Sequence, residues 1–474
     1  MTETWTVILA AGEGKRMRSG RAKVLHRLGG RPLIAYPVAL ARAVGTRGIV
    51  VVVGHQGDGV REALAGQTDL RFAEQREQRG TGHALVMAKG AVPGNATEIL
   101  LLYADVPLLA ETTVERLLVH HRQTRAAVSL LTFAPPDPTG YGRIVRRGGP
   151  RGPVVGIVEE RDTTAAQRRL RECNSGIYCF EPRWLWPALD RLTPENDQGE
   201  LYLTDVIGLL ARNRRRVAAI RVDDPLEVAG VNDRRQLAEL DAVLRGRTLA
   251  GLMAEGVTVL DPNATYVEPD VTVGRDTILY PGVRLEGRTV VGEACLVGTG
   301  CQLTDMTVGD RVILRPYCVA EGSVVEADVK LGPCARLRPG TVIQAGADIG
   351  NFIEIKKSTI GRRVKAHHVG YIGDATVGEG ANIGAGMVTV NYDGVAKHPT
   401  TIGARAFVGT NASLVAPLNI GDDAYVGAGS VITKDVPPGA LAIERAQQVI
   451  KEGWTERRRA RQAASREERP TGSQ

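Results

Sequence analysis

Short apolar runs alternate with longer stretches of helical spacing in the first half of the chain. The runs, which we predict to be strands, are residues 6–10, 49–53, 99–103, 128–132 and 177–180. Between the first three, residues such as Leu33, Leu40 and Val44 follow a helix-like spacing. This alternation predicts an α/β domain with a largely parallel sheet. Because ligands bind beyond the carboxyl ends of such strands, functional residues are expected directly after these runs.

In the second half of the chain, aliphatic residues recur every six positions, a period that fits neither a helix nor a simple strand. The three runs are Val273, Leu279, Leu285, Val291, Val297 and Leu303, then Val325, Leu331, Leu337, Ile343, Ile349 and Ile355, then Ile402, Val408, Leu414, Ile420, Val426 and Ile432. A period of six is typical of a hexapeptide-repeat parallel β-helix. Each aliphatic side chain is then expected to point into a stacked core.

Leu237, Leu240, Leu244 and Leu252 lie near one face of a predicted helix between these two halves. We therefore predict an α/β domain at 1–234, a linker helix at 235–255 and a β-helix at 256–455. Residues 456–474 are rich in Arg, Glu, Ser and Gln, so we expect a disordered basic tail there.

Composition excludes several classes of protein. A length of 474 residues predicts two or three domains, and a hydrophobic content of 43% indicates a folded protein. The six cysteines form no C-x-x-C pair, so we expect free thiols in a reducing compartment rather than disulfides or a zinc site. Neither a signal peptide nor an apolar run of about 18 residues is present, which predicts a cytoplasmic chain with no membrane partner. The net charge of +7 comes without aromatic interleaving, which favours phosphorylated small molecules over nucleic acid.

A Gly-rich turn, residues 9–16, follows the first predicted strand. It matches neither a dinucleotide fingerprint nor a Walker loop, and alone it fits an ordinary strand–helix turn as well. Asp105, at the end of the run 99–103, provides a carboxylate of the kind that Mg²⁺ prefers, although a helix cap is the alternative. Together with Arg16 and Lys23, this carboxylate would suit phosphoryl-type transfer, which depends on charge neutralisation and positioning.

The six-residue repeat falters around 366–371 and 391–401, where we expect loops that leave the coil. The polar residues there are Lys365, His367, His368, Tyr371, Asn391, Tyr392 and Lys397. Histidine titrates in the range needed to take a proton from an attacking amine. A structural or merely exposed histidine is the alternative.

Motifs throughout the first half resemble the sugar-1-phosphate nucleotidyltransferase family, in particular its uridylyltransferase branch. These motifs are residues 9–16, 23–26, Gln75, 80–83, 103–105, 140–142, Glu159, Asn174 and 230–232. Together with the β-helix, residues 5–454 resemble the family of bifunctional N-acetylglucosamine-1-phosphate uridylyltransferases and glucosamine-1-phosphate acetyltransferases. The resemblance implies a Rossmann-like domain, a left-handed β-helix and a homotrimer. It also implies synthesis of UDP-N-acetylglucosamine, with acetyl-CoA and UTP as co-substrates and Mg²⁺ as cofactor.

The same resemblance assigns roles to individual residues of the first site. Asp105 and Asn232 would hold Mg²⁺, while Lys23 and Arg16 would steady the UTP phosphates as catalytic residues. The remaining substrate-binding residues are Leu9, Ala10, Ala11, Gly12, Tyr103, then Gln75, Gly80 and Thr81 for uracil, and Gly140, Glu159 and Asn174 for the sugar.

In the β-helix, the resemblance makes His368 the catalytic base, with Glu354 as an orienting carboxylate. The residues implied to bind the amino-sugar phosphate are Arg338, Lys356, Tyr371 and Asn382. The residues implied to contact acetyl-CoA are Ala385, Asn391, Tyr392, Thr410, Ala428 and Arg445.

The chain departs from the family pattern in four places. Ala22, Ala104, Thr410 and Ala446 stand where the family often has Pro, Gly, Ser and Pro. Two other interpretations also remain. One is a nucleotidyltransferase of other specificity whose β-helix only supports oligomerisation, and the other is an assembly protein that has lost its chemistry.

Overall fold

The computed structural model describes residues 2–54 and 56–467, which fall into two compact units. The first unit extends to Gly251 and includes Val267–Pro269. The second comprises Leu252–Tyr266 and the residues from Asp270 onward.

A mostly parallel sheet forms the centre of the first unit. Its strands, with one separate hairpin (β2 and β3), are β1 (Thr4–Ala10), β2 (Arg27–Leu28), β3 (Arg31–Pro32), β4 (Gly48–Val53), β5 (Leu70–Glu74), β6 (Glu98–Tyr103), β7 (Val128–Phe133), β8 (Arg143–Arg146), β9 (Val154–Val158), β10 (Cys173–Phe180) and β11 (Val217–Arg221). The order across the sheet is β11-β7-β10-β6-β1-β4-β5, with β8 and β9 attached to β10. Only β10 runs antiparallel to its neighbours along this path. The predicted α/β class and its strands are confirmed.

Helices cover both faces of this sheet. They are α1 (Ala35–Ala43), α2 (Gly57–Ala63), α3 (Thr81–Ala88), α4 (Glu111–Thr124), α5 (Ala165–Arg168), α6 (Pro182–Leu189) and α7 (Asp205–Arg212), with short 3₁₀ turns at Lys15–Met17, Lys23–Leu25, Glu160–Asp162, Pro225–Val228 and, in the second unit, Pro262–Ala264. Alternate residues of β1 enter two separate cores, Val7 and Leu9 on one face and Ile8 and Ala10 on the other. A strand buried on both faces explains why these runs are continuously apolar.

The predicted linker helix is α8 (Arg234–Ala254). Leu240 on this helix is buried among Met17, Leu28, Val231 and others of the first unit. The early turns of α8 therefore form part of the core of the first unit. In the described part of the chain, no helix is long and apolar enough to cross a membrane.

Short parallel strands on three faces build the second unit. The first face contains Thr258–Val259, Ile278–Leu279, Leu296–Val297, Ile313–Leu314, Lys330–Leu331, Asn382–Ile383, Phe407–Val408, Tyr425–Val426 and Leu441–Ala442; the second contains Arg284–Glu286, Gln302–Thr304, Val319–Glu321, Arg336–Arg338, Val388–Val390, Ser413–Val415 and Val431–Ile432. The third contains Thr272–Val273, Val290–Val291, Thr307–Val308, Val324–Val325, Val342–Ile343, Thr359–Ile360, Ala375–Val377, Thr400–Ile402 and Leu418–Ile420. One more short strand, Tyr266–Val267, precedes Thr272–Val273 in the chain.

Two long strands, Asp348–Lys356 and Lys365–Gly373, join the first two faces. Every aliphatic residue of the three predicted six-residue runs is buried. The predicted parallel β-helix is confirmed, since successive coils stack these side chains in one continuous core.

The two predicted interruptions of the repeat have different structures. The expectation of a loop at 366–371 was wrong, because Lys365–Gly373 is a nine-residue strand paired along Asp348–Lys356. The chain there continues as one extended strand from the first face to the second. The six-residue spacing is therefore lost although the chain stays within the coil. At 391–399 the chain does leave the coil, between Val388–Val390 and Thr400–Ile402.

The terminal segment differs from the expectation of disorder. Residues Trp454–Glu467 form helix α9, and the described side chains from Trp454 to Ser465 are exposed. Ala, Arg, Gln and Glu are good helix formers, so this segment adopts a helix without burying an apolar face. Residues 468–474 lie outside the described residues.

Candidate functional site

The carboxyl ends of β1, β4, β5 and β6 meet at one edge of the sheet. Leu9 pairs with Tyr103 in register, and the Ala104 amide donates to the Leu9 carbonyl over 3.0 Å. A cavity of about 240 Å³ opens at this edge. It is lined by Leu9, Ala10, Ala11, Gly12, Lys23, Val24, Gln75, Gln78, Gly80, Thr81, Ala84, Tyr103, Asp105 and Glu200. The predicted nucleotide-site residues before residue 106 are therefore brought together, with the exception of Arg16.

Lys23 is the central cation of this cavity. Its Nζ donates to Asp105 Oδ2 and lies 3.5 Å from Asn232 Oδ1. The side chains of Lys23 and Asp105 are only 13% and 18% exposed, so their ion pair is shielded from water. The Val231 amide donates to the Asp105 carbonyl over 2.8 Å, which ties the loop carrying Asn232 to the end of β6.

At two positions in this site, neighbouring atoms lie so close to the backbone that only glycine fits. Gly14 has φ 63°, and a Cβ there would lie 2.6 Å from Lys23 Cβ. Gly80 has φ 98°, and a Cβ there would lie 2.7 Å from the Leu201 carbonyl oxygen. Both positions combine a left-handed backbone with a contact that leaves no room for a side chain.

Gln75 is buried and fixed at the end of β5. Its amide donates to the Gly80 carbonyl over 3.1 Å and lies 3.2 Å from His83 Nδ1. Gln78, which the sequence interpretation missed, donates to the Ala11 carbonyl over 2.6 Å. The signal for Gln78 was its place three residues after Gln75, in the same polar run at a strand end.

Asn174, one of the residues predicted to bind the sugar, lies near Tyr103. Asn174 Oδ1 accepts from the Tyr178 hydroxyl over 3.0 Å and from the Gly176 amide over 3.2 Å. A Cβ at Gly176 would lie 2.9 Å from the Tyr103 ring. Because β10 is antiparallel, its first residues lie at the same edge as the ends of the parallel strands.

Glu159 lies close enough to Tyr103 for its charge to affect the pKa of the Tyr103 hydroxyl. Burial raises the pKa of the Glu159 carboxyl, although the Thr204 hydroxyl donates to it over 2.9 Å. Burial, and then the charges of Glu159 and Asp105, raises the pKa of the Tyr103 hydroxyl. Tyr103 therefore stays neutral and is available as a hydrogen-bond partner. Thr204, a second residue that sequence reasoning missed, carries no motif of its own that would have identified it.

Arg16 and Gly140 are less constrained. Arg16 is exposed on the turn Lys15–Met17 and lines a smaller cavity of about 230 Å³ that also contains Lys23 and Asn232. Gly140 has φ 86° and open space around its α-carbon. Neither residue is fixed by a side-chain contact in the described chain.

The oxygens of Asp105 and Asn232 converge on one cation, the Lys23 ammonium. A carboxylate and an amide oxygen with this orientation fit Mg²⁺, which usually takes few protein ligands and keeps its other positions for water and phosphate. The described residues contain no group of three or more His, Cys, Asp or Glu suited to a metal ion. Two protein oxygens lie within the small number of protein ligands that Mg²⁺ usually takes.

A second polar cluster lies on the outside of the β-helix. Arg338 Nη1 lies 3.1 Å from Glu354 Oε1, so Glu354 contacts this arginine in the described structure. Lys356 Nζ lies 3.5 Å from Asp374 Oδ2, and Asn391 Nδ2 donates to the same oxygen over 2.6 Å.

Tyr371 also belongs to this cluster, because its hydroxyl lies 3.5 Å from Asn391 Nδ2. Lys397, whose ammonium is next to that of Lys356, has its pKa lowered by this proximity. Asp374 was missed because it looks like the other corner aspartates of the repeat.

Three of the residues predicted to contact acetyl-CoA, Ala385, Thr410 and Ala428, form a column along one corner of the coil. The Asn411 amide donates to the Ala385 carbonyl over 2.7 Å, and the Gly429 amide donates to the Thr410 carbonyl over 2.7 Å. Arg445 Nη1 donates to the Ala428 carbonyl over 3.0 Å. Ala385, Thr410 and Ala428 thus occupy equivalent places on successive coils.

His368 lies on the long strand Lys365–Gly373, opposite Asn351 in register, and is exposed. Its imidazole makes no hydrogen bond within the described chain, whereas the neighbouring His367 Nε2 lies 3.5 Å from Asp348 Oδ2. Asn382 is half-buried on the adjacent coil, opposite Lys365. Tyr392 is 56% exposed on the projecting loop.

The fold and these two clusters define a nucleotidyltransferase domain followed by a hexapeptide-repeat β-helix. Residues 6–207 match the family described as MobA-like NTP transferase domain. Residues 399–434 match the family described as hexapeptide repeat of succinyl-transferase.

Whole-length relatives agree with this arrangement. The bifunctional protein GlmU of Geotalea uraniireducens is 45% identical and covers 96% of this chain and 99% of its own. The GlmU proteins of Fervidobacterium nodosum and Brevibacillus brevis are 47% and 46% identical, covering 96% and 95% of this chain and 97% of their own. The chain belongs to the bifunctional GlmU family.

Proposed function

We propose that this chain makes UDP-N-acetylglucosamine in two steps. Its β-helix transfers the acetyl group of acetyl-CoA to the amine of glucosamine-1-phosphate. Its α/β domain then transfers UMP from UTP to N-acetylglucosamine-1-phosphate and releases pyrophosphate. Family membership and the presence of two separate polar clusters in one chain support this proposal.

The cavity at the ends of β1 and β6 is the proposed uridylyl-transfer site. Gln75, Gly80 and Thr81 would bind uracil, and Lys23 and Arg16 would neutralise the triphosphate. The sugar phosphate oxygen attacks the α-phosphorus, and the bond to pyrophosphate breaks. Phosphoryl-type transfer depends mainly on positioning and charge neutralisation, which a shielded cation such as Lys23 provides.

The proposed sugar subsite lies beside Tyr103 and comprises Gly140, Glu159 and Asn174. Asp105 and Asn232 would hold Mg²⁺, which when bound would supply further positive charge to the phosphates. The convergence of their oxygens on the Lys23 ammonium is the observation that supports this assignment.

The outer cluster of the β-helix is the proposed acetyl-transfer site. Arg338, Lys356, Tyr371 and Asn382 would bind the amino-sugar phosphate. The column of Ala385, Thr410 and Ala428, with Arg445, Asn391 and Tyr392, would contact acetyl-CoA.

His368 would take the proton from the amine as its nitrogen attacks the thioester carbon. The carbon–sulfur bond then breaks, and the thiol of CoA leaves.

Homotrimer assembly is part of the proposal. His368 and Tyr392 are exposed in the single chain, so a further surface is needed to exclude water from the transfer. The flat outer faces of a β-helix suit closed symmetric packing. Light scattering should give three chains per particle, and a dilute monomer with full acetyltransferase activity would contradict the assembly.

The domain limits of the proposal are 1–234 for uridylyl transfer and 256–455 for acetyl transfer, with α8 between them. Free cysteines and intracellular co-substrates favour a cytoplasmic location. We assign no nucleic-acid or membrane partner.

Product analysis tests the function directly. The purified chain is supplied with glucosamine-1-phosphate, acetyl-CoA, UTP and Mg²⁺, and products are identified by mass spectrometry. UDP-N-acetylglucosamine, pyrophosphate and free CoA are the expected products. A nucleotide sugar formed with no release of CoA would instead favour a nucleotidyltransferase whose β-helix has only an oligomerisation role.

A further inference from the structure

Asp374 is an acidic residue at the centre of an otherwise basic cluster. It directly follows the strand Lys365–Gly373, and its side chain is only 13% exposed. One carboxylate oxygen, Oδ2, lies 2.6 Å from Asn391 Nδ2 and 3.5 Å from Lys356 Nζ. A single oxygen therefore contacts one residue of each proposed acetyl-transfer subsite.

The backbone fixes this carboxylate from both sides. The Asp374 amide donates to the Lys356 carbonyl over 3.0 Å, and the Asp374 carbonyl accepts from the Thr400 amide over 3.2 Å. Gly373 is required beside it, because a Cβ there would lie 2.3 Å from the Tyr371 hydroxyl oxygen. The position of Asp374 is thus set by the coil rather than by its side-chain partners.

The charges around Asp374 explain what it would do. The Lys397 ammonium is a neighbour of Lys356, and the positive charge of Lys356 lowers the pKa of Lys397. A carboxylate beside Lys356 offsets this positive charge and restricts a side chain that otherwise has many rotamers.

We propose that Asp374 is a positioning residue that couples the amino-sugar phosphate subsite to the acetyl-CoA subsite. It holds Lys356 ready for the phosphate and Asn391 ready for the acyl carrier. This inference rests on the proposed acetyl transfer, and it adds a residue to that site.

The test compares wild type with Asp374→Asn in the full-length chain. Asn keeps the shape of the side chain and tolerates the φ of 50° at this position. It can still accept from Asn391 but loses the charge that holds Lys356. We expect the KM for glucosamine-1-phosphate to rise about tenfold, the loss typical of one charge-assisted contact, with a smaller change in kcat. Uridylyl transfer and the melting temperature should stay at wild-type values.

A double-mutant cycle separates positioning from a general structural role. In a Lys356→Ala background, Asp374→Asn should change the KM for glucosamine-1-phosphate less than about twofold, because the side chain it acts through is gone. Asn391→Ala should also raise that KM, although Asn391 is assigned to the other substrate. This second variant tests the coupling even if Asp374→Asn folds poorly.

Asp305→Asn is the matched control. Asp305 follows the strand Gln302–Thr304 at the equivalent corner, with φ 52°, and accepts from the Arg288 amide over 2.9 Å. This substitution should leave both KM values unchanged.

Unchanged kinetics in Asp374→Asn, or an equal effect in the Lys356→Ala background, would overturn the positioning role alone. A wild-type chain that does not acetylate glucosamine-1-phosphate would overturn the proposed function, and the inference with it.

Discussion

Each unit of this chain contains a shielded Lys–Asp pair, Lys23–Asp105 and Lys356–Asp374, but the units differ in how exposed the other predicted site residues are. In the α/β unit, Lys23 and Asp105 are largely buried, and Gln75 is fully buried beside a cavity of about 240 Å³. On the β-helix, His368 and Thr410 are exposed on the outer surface.

The architecture of each unit accounts for this contrast. Parallel strands end together, so the loops that follow them can surround a ligand within one chain. A β-helix points mainly aliphatic side chains, with a few small polar ones such as Thr277 and Thr289, into its core, whereas its long charged side chains remain on the outside. His368 of the proposed acetyl-transfer site is therefore exposed in the single chain, whereas Lys23 lines a cavity of the α/β unit.

The largest expected effect comes from Asp105→Ala. This change removes the carboxylate that pairs with Lys23 and that we assign to Mg²⁺, so uridylyl transfer should fall at least about 10⁴-fold. Acetyl transfer should stay near the wild-type rate, because the proposed residues lie in the other unit. Coupled assays for pyrophosphate and for free CoA measure the two steps. Parallel loss of both activities in a folded variant would contradict two separate sites.

His368→Ala should lower acetyl transfer by roughly 10²–10⁴-fold, which is the usual contribution of a general base. Binding of acetyl-CoA should change little, and uridylyl transfer should be unaffected. The residual rate should rise with pH, since more of the amine is then unprotonated without help. Rates of CoA release measured over a pH series provide the test.

His367→Ala is the matched control for this experiment. His367 is the adjacent residue and lies near Asp348, yet it has no assigned step, so a change of less than about twofold is expected. If His367→Ala proves the more damaging variant, or if neither matters, the assignment of His368 is wrong.

Two fragments sharpen the boundary between the units. Fragments 1–234 and 1–251 should both carry out uridylyl transfer, and neither should acetylate. Only the longer fragment keeps the buried Leu240, and only it keeps the Gln236 side chain, which accepts from the Asn232 amide over 2.8 Å.

Loss of the α8 contacts should make fragment 1–234 less stable by about 2–5 kcal/mol, the range for removing a large buried aliphatic residue. Denaturant unfolding of the two fragments measures this difference. Equal stabilities would show that α8 is a linker with no part in the core.

The smallest expected effect is that of Ala22→Pro. Ala22 has φ −53° and ψ 139°, a conformation that proline adopts without strain. The substitution should stabilise the chain by about 0.4–1 kcal/mol, since it restricts the unfolded state, and should leave uridylyl transfer unchanged. Ala22→Gly should act in the opposite direction. A melting temperature that falls in Ala22→Pro would show that the amide of Ala22 or the preceding residue is constrained.

Much of the fold could be predicted because the two patterns have a direct physical cause. The continuous apolar runs predicted strands that are buried on both faces of the sheet. The six-residue period predicted short strands that each point one aliphatic side chain into the core. The prediction of loops was wrong at one of the two places where the six-residue repeat is interrupted, because the two interruptions have different structural causes. At 366–371 a corner is straightened into a strand, whereas at 391–399 the chain projects as a loop.

Residues of the proposed sites were accessible to sequence reasoning when they belonged to a motif, as Lys23 and Asp105 do. His368 was singled out because it lies where the six-residue repeat falters. Gln78, Thr204 and Asp374 contact residues in other segments of the chain, and no local spacing encodes such contacts.

The sequence by itself determined the two architectures, since side-chain periodicity follows from the geometry of strands and coils. It also determined which polar residues stand at strand ends or break the repeat. Tertiary structure alone decided which of them meet, because contacts such as those of Asn232 with Lys23 and of Asn391 with Asp374 join distant segments. It also decided that Lys23 lines a cavity while His368 is exposed, since exposure depends on how loops and coils pack in space.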